Sequence, residues 1–193
     1  MYKTFMKHAE KITKSPVVEQ RKILQGVKHY EEGSAAVTDS HRLYIAEDIH
    51  ELQGEPVISP SGKEIEGAYP EIARLIPTLD PEYVGTLQVD ELIKATDIMV
   101  TAAKAVGEDL VMSLAENILF FDSEEVKASY ELSIDDVGMN IWSNAQYWLD
   151  ALRMFKAFKY KEIELKLYDK MRPFTLGSPD KKLMALILPV RRY

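Results

Sequence analysis

The sequence contains no cysteine. That excludes disulfides, zinc–thiolate sites and thiol nucleophiles, and it suits a reducing cytosol. No apolar run approaches the roughly 20 residues of a membrane span. The opening MYKTFMKHAEKITK is amphipathic and lysine-rich, without the apolar stretch or cleavage site of a signal peptide. A cytoplasmic protein with no membrane partner is expected. A glycine-rich phosphate loop is missing too, since Gly62-Lys63 lacks the preceding glycine spacing. The four histidines, His8, His29, His41 and His50, show no metal-ligand spacing, so neither a metal nor a cofactor is expected. Positive charge is in deficit, with 24 basic against 31 acidic residues and a formal net charge of −7. Nucleic acid could be held only by a local basic stripe, not by the whole surface.

What is present suffices for a core. The chain has 193 residues, 46% of them hydrophobic, enough for one large domain or two small ones. Residues 3–14 read as a helix, followed by short strands with a turn at Glu31-Glu32-Gly33. Residues 47–82 hold Gly54, Pro56, Pro60, Gly62, Gly67, Pro70, Pro77 and Pro81, the composition of a linker. A pattern then occurs twice. YVGTLQV is a strand, and 90–106 is a helix with Leu92, Ala95, Met99, Ala103 and Val106 on one face. Strands follow at 109–115, 117–122 and 125–134. VGMNIW begins the second copy, with a helix over 143–158 and strands at 161–168, 172–176 and 182–190. The N-terminal segment reads as an incomplete third copy. The expected class is therefore α+β, made of repeated strand–helix–three-strand units with helices on one face of antiparallel sheets.

The stretch VTDSHRLYIA, residues 37–46, sets Asp39, Ser40, His41 and Arg42 in a row. These residue types perform catalysis, but neighbours on an extended chain point to opposite faces and do not assemble a triad. The expected reading is a tight turn that starts a strand, with Asp39 and Ser40 bonding local backbone. No catalytic residue is assigned.

Lys3, Lys7, Lys11 and Lys14 fall within roughly 80° of one another on a helix. Phe5, Ala9 and Ile12 lie on the opposite side. Glu10 is the helix's single acid. Such a stripe is either an ordinary solvated face or a sequence-independent phosphate contact. The other helices add Lys94 and Lys104, then Arg153 and Lys156.

Several segments resemble the bacterial DNA polymerase III β subunit family, the replicative sliding clamps. AVTDSHRLYIAE resembles the family's middle-domain ATDGHRLA, and EGAYPEIARLIP resembles its EGxYPDxxRxIP. NAQYWLDALRMF resembles the third-domain NxxYLLDAL helix, and ALILPVRRY resembles the C-terminal LILPVRTY. The matches run in family order over most of the chain. They imply a DNA clamp-like fold, with residues 1–80 as a truncated middle domain and 81–193 as a third domain. The resemblance implies a non-enzymatic ring around double-stranded DNA, helices inside, read without regard to sequence. It further implies that DNA polymerase and other partners insert a short clamp-binding peptide into a pocket. The matching pocket positions are Thr38, His41, Arg42, Leu43, Pro77, Leu188, Pro189 and Val190. Leu43, Pro77, Leu188 and Val190 would form an apolar floor, His41 and Arg42 a polar edge. Without the resemblance, LILPV reads equally as a buried terminal strand, with Arg191, Arg192 and Tyr193 as an exposed tail.

The sequence departs from the family pattern. The family's first domain and the strand before helix 3–14 have no counterpart, and only about thirty residues separate Asp48 from Pro77. Such compactness would fit a phage or other mobile element. Two functions stay open: a processivity factor that encircles DNA, and a non-encircling decoy or regulator that competes for clamp-binding peptides. The family ring uses twelve helix-bearing units and this chain offers three. A homo-oligomeric tetramer ring is thus expected, ahead of a trimer.

Overall fold

Three amphipathic helices organise the molecule, whose computed structural model describes residues 1–190. The first, α1 (Tyr2–Thr13), buries Phe5, Met6, Ala9, Ile12 and Thr13. All four lysines of its stripe are exposed. Pro16 lies just beyond the helix, where its ring is incompatible with continuation. In α2 (Val89–Ala105) the buried stripe is Val89, Leu92, Thr96, Val100 and Ala103. This is rotated from the expected face: Ala95 and Met99 are half-buried and Val106 is exposed, because the stripe follows Val100 and Thr96 at helical spacing. Helix α3 (Ala145–Ala157) starts where the Asn144 side chain accepts the Gln146 N–H at 2.8 Å, an N-cap.

Twelve strands are assigned among the described residues. They are β1 (Val27–His29), β2 (Ala35–Thr38), β3 (Arg42–Ala46), β4 (Val57–Ile58), β5 (Tyr83–Gln88), β6 (Val111–Ala115), β7 (Ile118–Asp122), β8 (Lys127–Glu131), β9 (Ile141–Asn144), β10 (Glu162–Leu167), β11 (Phe174–Gly177) and β12 (Leu183–Ile187). The repeated strand–helix–three-strand order is as expected. The pairing exchanges first strands between the copies. An eight-stranded sheet runs β4-β1-β2-β3-β12-β11-β10-β5, and a four-stranded sheet runs β8-β7-β6-β9. All assigned pairings are antiparallel.

The seam between β3 and β12 is decisive. Arg42 pairs with Ile187, Leu43 with Leu186, Tyr44 with Ala185, Ile45 with Met184 and Ala46 with Leu183. Alternation then sorts the side chains. Tyr44, Ala46, Leu183, Ala185 and Ile187 join the core beneath the helices, together with Met112, Leu119 and Phe121 of the other sheet. Fully burying a Leu, Ile, Met or Phe side chain contributes about 1.5–3 kcal/mol. Leu43 and Leu186 face the other way, into a second cluster with Ala36 and Ile72.

Several boundaries differ from the sequence reading. β9 starts at Ile141, not Val137, and β12 stops at Ile187, not at residue 190. The proposed linker contributes β4, which occupies the edge of β1 through Val27–Ile58 and Lys28–Val57. The approach depends on Gly26, where an added Cβ would lie 2.5 Å from the Val57 side chain. Residues 191–193, read as a tail, lie outside the described residues. Among the described residues no helix is long and apolar enough to cross a membrane.

Candidate functional site

The Asp39–Arg42 row forms a turn and not a catalytic set. One Asp39 carboxylate oxygen accepts the N–H groups of His41 and Arg42, each at 3.0 Å, and the other accepts Arg42 Nε at 3.1 Å. Thr38 Oγ1 donates to the Arg42 carbonyl at 2.7 Å and accepts the Ser40 N–H at 3.1 Å. Ser40 takes the left-handed conformation, φ +75°. Its hydroxyl accepts from Arg21 at 2.7 Å; the expected backbone bond of that side chain is replaced by this one.

Arg42, expected on a polar edge, is turned inward. Its side chain is 4% exposed. The guanidinium donates to Asp150 at 2.7 Å and to the Lys11 carbonyl at 3.1 Å, and it lies 4.4 Å from the centre of the Tyr147 ring. Arg42 therefore ties β3 to α3 and α1. Burial opposes its charge, but neighbouring groups including the Asp39 and Asp150 carboxylates outweigh that and hold its pKa above the ordinary value.

The structure brings the two expected pocket segments together. The Leu188 N–H donates to the His41 carbonyl at 2.9 Å, and the Val190 N–H to that of Trp142 at 2.7 Å. Leu43 is fully buried, Leu188 half-buried, and both pack in the second apolar cluster. His41 is exposed, its ring nearly parallel to Tyr147 at 6.3 Å. Thr38 is buried, Pro189 and Pro77 half-buried, and Val190 40% exposed. Pro77 follows Ile76, which packs on the same cluster. The sequence reading missed Ile72, Ile76, Tyr69, Ile45 and Leu186 on this face, and Tyr147 beside it. The signal for Ile45 and Leu186 was two-residue spacing from Leu43 and Leu188. The segment that carries Tyr69, Ile72 and Ile76 has no regular period to betray it.

On the helix side, the eight candidate cations Lys3, Lys7, Lys11, Lys14, Lys94, Lys104, Arg153 and Lys156 are all exposed. Their electrostatic settings differ. Arg153 meets Asp97 at 2.8 Å, and Lys156 meets Asp90 at 2.7 Å, each pair bridging α3 to α2. Lys104 donates to the Gln146 side-chain oxygen Oε1 at 2.5 Å. Lys14 pairs with Glu10. Among the described residues Lys3, Lys7, Lys11 and Lys94 have no ion-pair partner. Of the histidines, His29 and His50 meet at 4.8 Å between ring centres. Tyr2 bonds His29 Nε2 at 3.0 Å, and burial lowers the pKa of His29.

No family model matches the chain. A curated protein, the beta sliding clamp of Lactococcus lactis subsp. lactis (strain IL1403), is 31% identical over 150 residues, which are 69% of this chain and 37% of that protein. The β subunit of DNA polymerase from Streptococcus pyogenes has a similar structure, TM-score 0.80 at 21% identity, covering 99% of this chain and 64% of the other. The sliding clamp of Bacillus subtilis gives 0.79 at 24% identity, covering 100% and 62%. The chain thus spans under two-thirds of these relatives.

Proposed function

Starting from a chain that is a relative of the bacterial β sliding clamp, the β subunit of DNA polymerase III, we propose that it is a non-enzymatic processivity factor. It holds double-stranded DNA against its helices and partner proteins through a short peptide on the opposite face. The carrying observation is the two-sided eight-stranded sheet. Tyr44 and Ala185 face the helices, whereas Leu43 and Leu186 face an apolar cluster beside His41 and Leu188. One sheet thus separates a cationic helix face from an apolar recess suited to linear peptides. The division into a shortened unit over residues 1–80 and a second over 81–193 belongs to this reading. So do action in the cytosol and closure as a ring of several copies.

DNA contact of this kind is to phosphates and is steeply salt-dependent. That Lys3, Lys7 and Lys11 lack an ion-pair partner among the described residues supports α1 as the main contact. Changing Lys7 and Lys11 together to Glu is expected to lower DNA association or polymerase processivity at least about 10-fold, since two phosphate contacts become repulsions. Both side chains are exposed, so folding should be retained. Unaltered processivity in a primer-extension assay would remove the helix face from the mechanism.

One observation favours a second reading. Asp90 and Asp97 neutralise Lys156 and Arg153, so two of the three helices present a weak positive field. A decoy that binds clamp-type peptides without encircling DNA needs only the peptide face.

A further inference from the structure

Beside α1 lies a groove of about 590 Å³. Lys3, Lys7 and Lys14 line one wall, and Ser59, Ser61 and Gly62 line the other. Glu10 is the acid among its lining residues, and it is engaged with Lys14. Three ammonium groups therefore face one carboxylate, in a protein whose overall charge is negative.

The second wall is a fixed object. The Ser59 N–H donates to the Lys63 carbonyl, and the Gly62 N–H to the Ser59 carbonyl, both at 2.8 Å. Ser59 Oγ accepts the Lys63 N–H at 2.9 Å and lies 2.9 Å from Ser61 Oγ. Gly62 has φ +88°, a conformation that few residues other than glycine adopt readily. The turn is anchored to the sheet by the pairing of β4 with β1. Its position relative to α1 is thus set by the fold.

Besides cations and hydroxyls, Met6, Pro60 and the Gln25 amide line the groove. Its aromatic ring, Tyr2, packs against the His29 and His50 rings and is not an open stacking platform for successive bases. The cations and hydroxyls suit phosphodiester oxygens. From Lys3 to Lys14 the helix rises about 16 Å. One strand of B-DNA carries about five phosphates over that length.

We propose that this groove seats the phosphodiester backbone of one DNA strand, with the 59–62 turn as a contact element opposite α1. The inference rests on the DNA reading above and adds to it a specific second wall. The helix stripe is then one side of a channel for a strand.

Ser61 tests it because the residue is exposed and, among the described residues, its hydroxyl bonds only Ser59. Binding of a fluorescent duplex is measured by anisotropy over a salt series with the full chain, its Ser61→Glu and Ser61→Lys variants, and Lys7→Glu. Ser61→Glu is expected to weaken binding about 10-fold, and Ser61→Lys to tighten it about 3-fold and steepen the salt slope by about one. Opposite effects from opposite charges, with unchanged melting curves, are not what a structural role would give. If both Ser61 variants bind as the parent does while Lys7→Glu weakens binding, the groove is wrong and the helix face stands. If Lys7→Glu also has no effect, the DNA reading falls with it.

Discussion

Arg42 illustrates how one side chain can be bound to the architecture and not to a ligand. It is buried with two carboxylates, Asp39 and Asp150, and caps a carbonyl of α1. Removing one partner of such a group leaves uncompensated buried charge, at a cost of about 3–5 kcal/mol. Arg42→Ala is therefore expected to lower unfolding free energy by about that amount in urea titrations. A loss below about 1 kcal/mol would show that Asp39 and Asp150 find other partners. Arg42→Lys should not restore the parent, because one ammonium cannot reproduce three directed contacts. None of this was legible in the sequence. Asp39 is a neighbour, but Asp150 is 108 residues away, and only the packing of α3 against β12 brings it in range.

Among elements, β3 and the segment after β12 together form the apolar face that the proposal assigns to the peptide. Leu188 is the suitable probe, being half-buried where Leu43 is fully buried. Leu188→Asp is expected to weaken a labelled clamp-binding peptide more than about 10-fold, the scale of losing an apolar anchor from a recess. The melting temperature should move little. Undiminished saturable binding would place the peptide elsewhere. The helices and the alternating strand β10 were legible because one face of each must be buried. The rotated stripe of α2 was not, since Thr96 counts as polar in a pattern yet is fully buried. β4 was hidden for a different reason. It is two residues long, lies in a proline-bearing stretch, and exists because Gly26 leaves room for Val57. The face proposed for the peptide was half visible: the resemblance marked its segments, including EGAYPEIARLIP, but no periodicity singled out Ile72 and Ile76 within it.

At the scale of the molecule, the proposed ring would close through strands at the sheet ends. β8 and β4 each end a sheet, and such edges invite pairing with another chain. Head-to-tail closure through ends of different kinds gives a ring. Three helices per chain favour a tetramer, with a mass near four times 22.0 kDa by light scattering coupled to size exclusion. Three times that mass would favour a trimer. A stable monomer at high concentration would sink the ring and leave the decoy.

The seam between β3 and β12 has a consequence during synthesis. β3 is made by residue 46, but the strand that covers its edge is finished only at residue 187. On the ribosome the N-terminal sheet therefore waits, open-sided, through most of translation. Such long-range pairing is slow and leaves unpaired strands exposed to other nascent chains. The same delay has a benefit. The recess proposed for partner peptides needs both strands, so on that proposal a chain interrupted before β12 cannot draw a partner into a dead-end complex. Recruitment begins only when the sheet has closed.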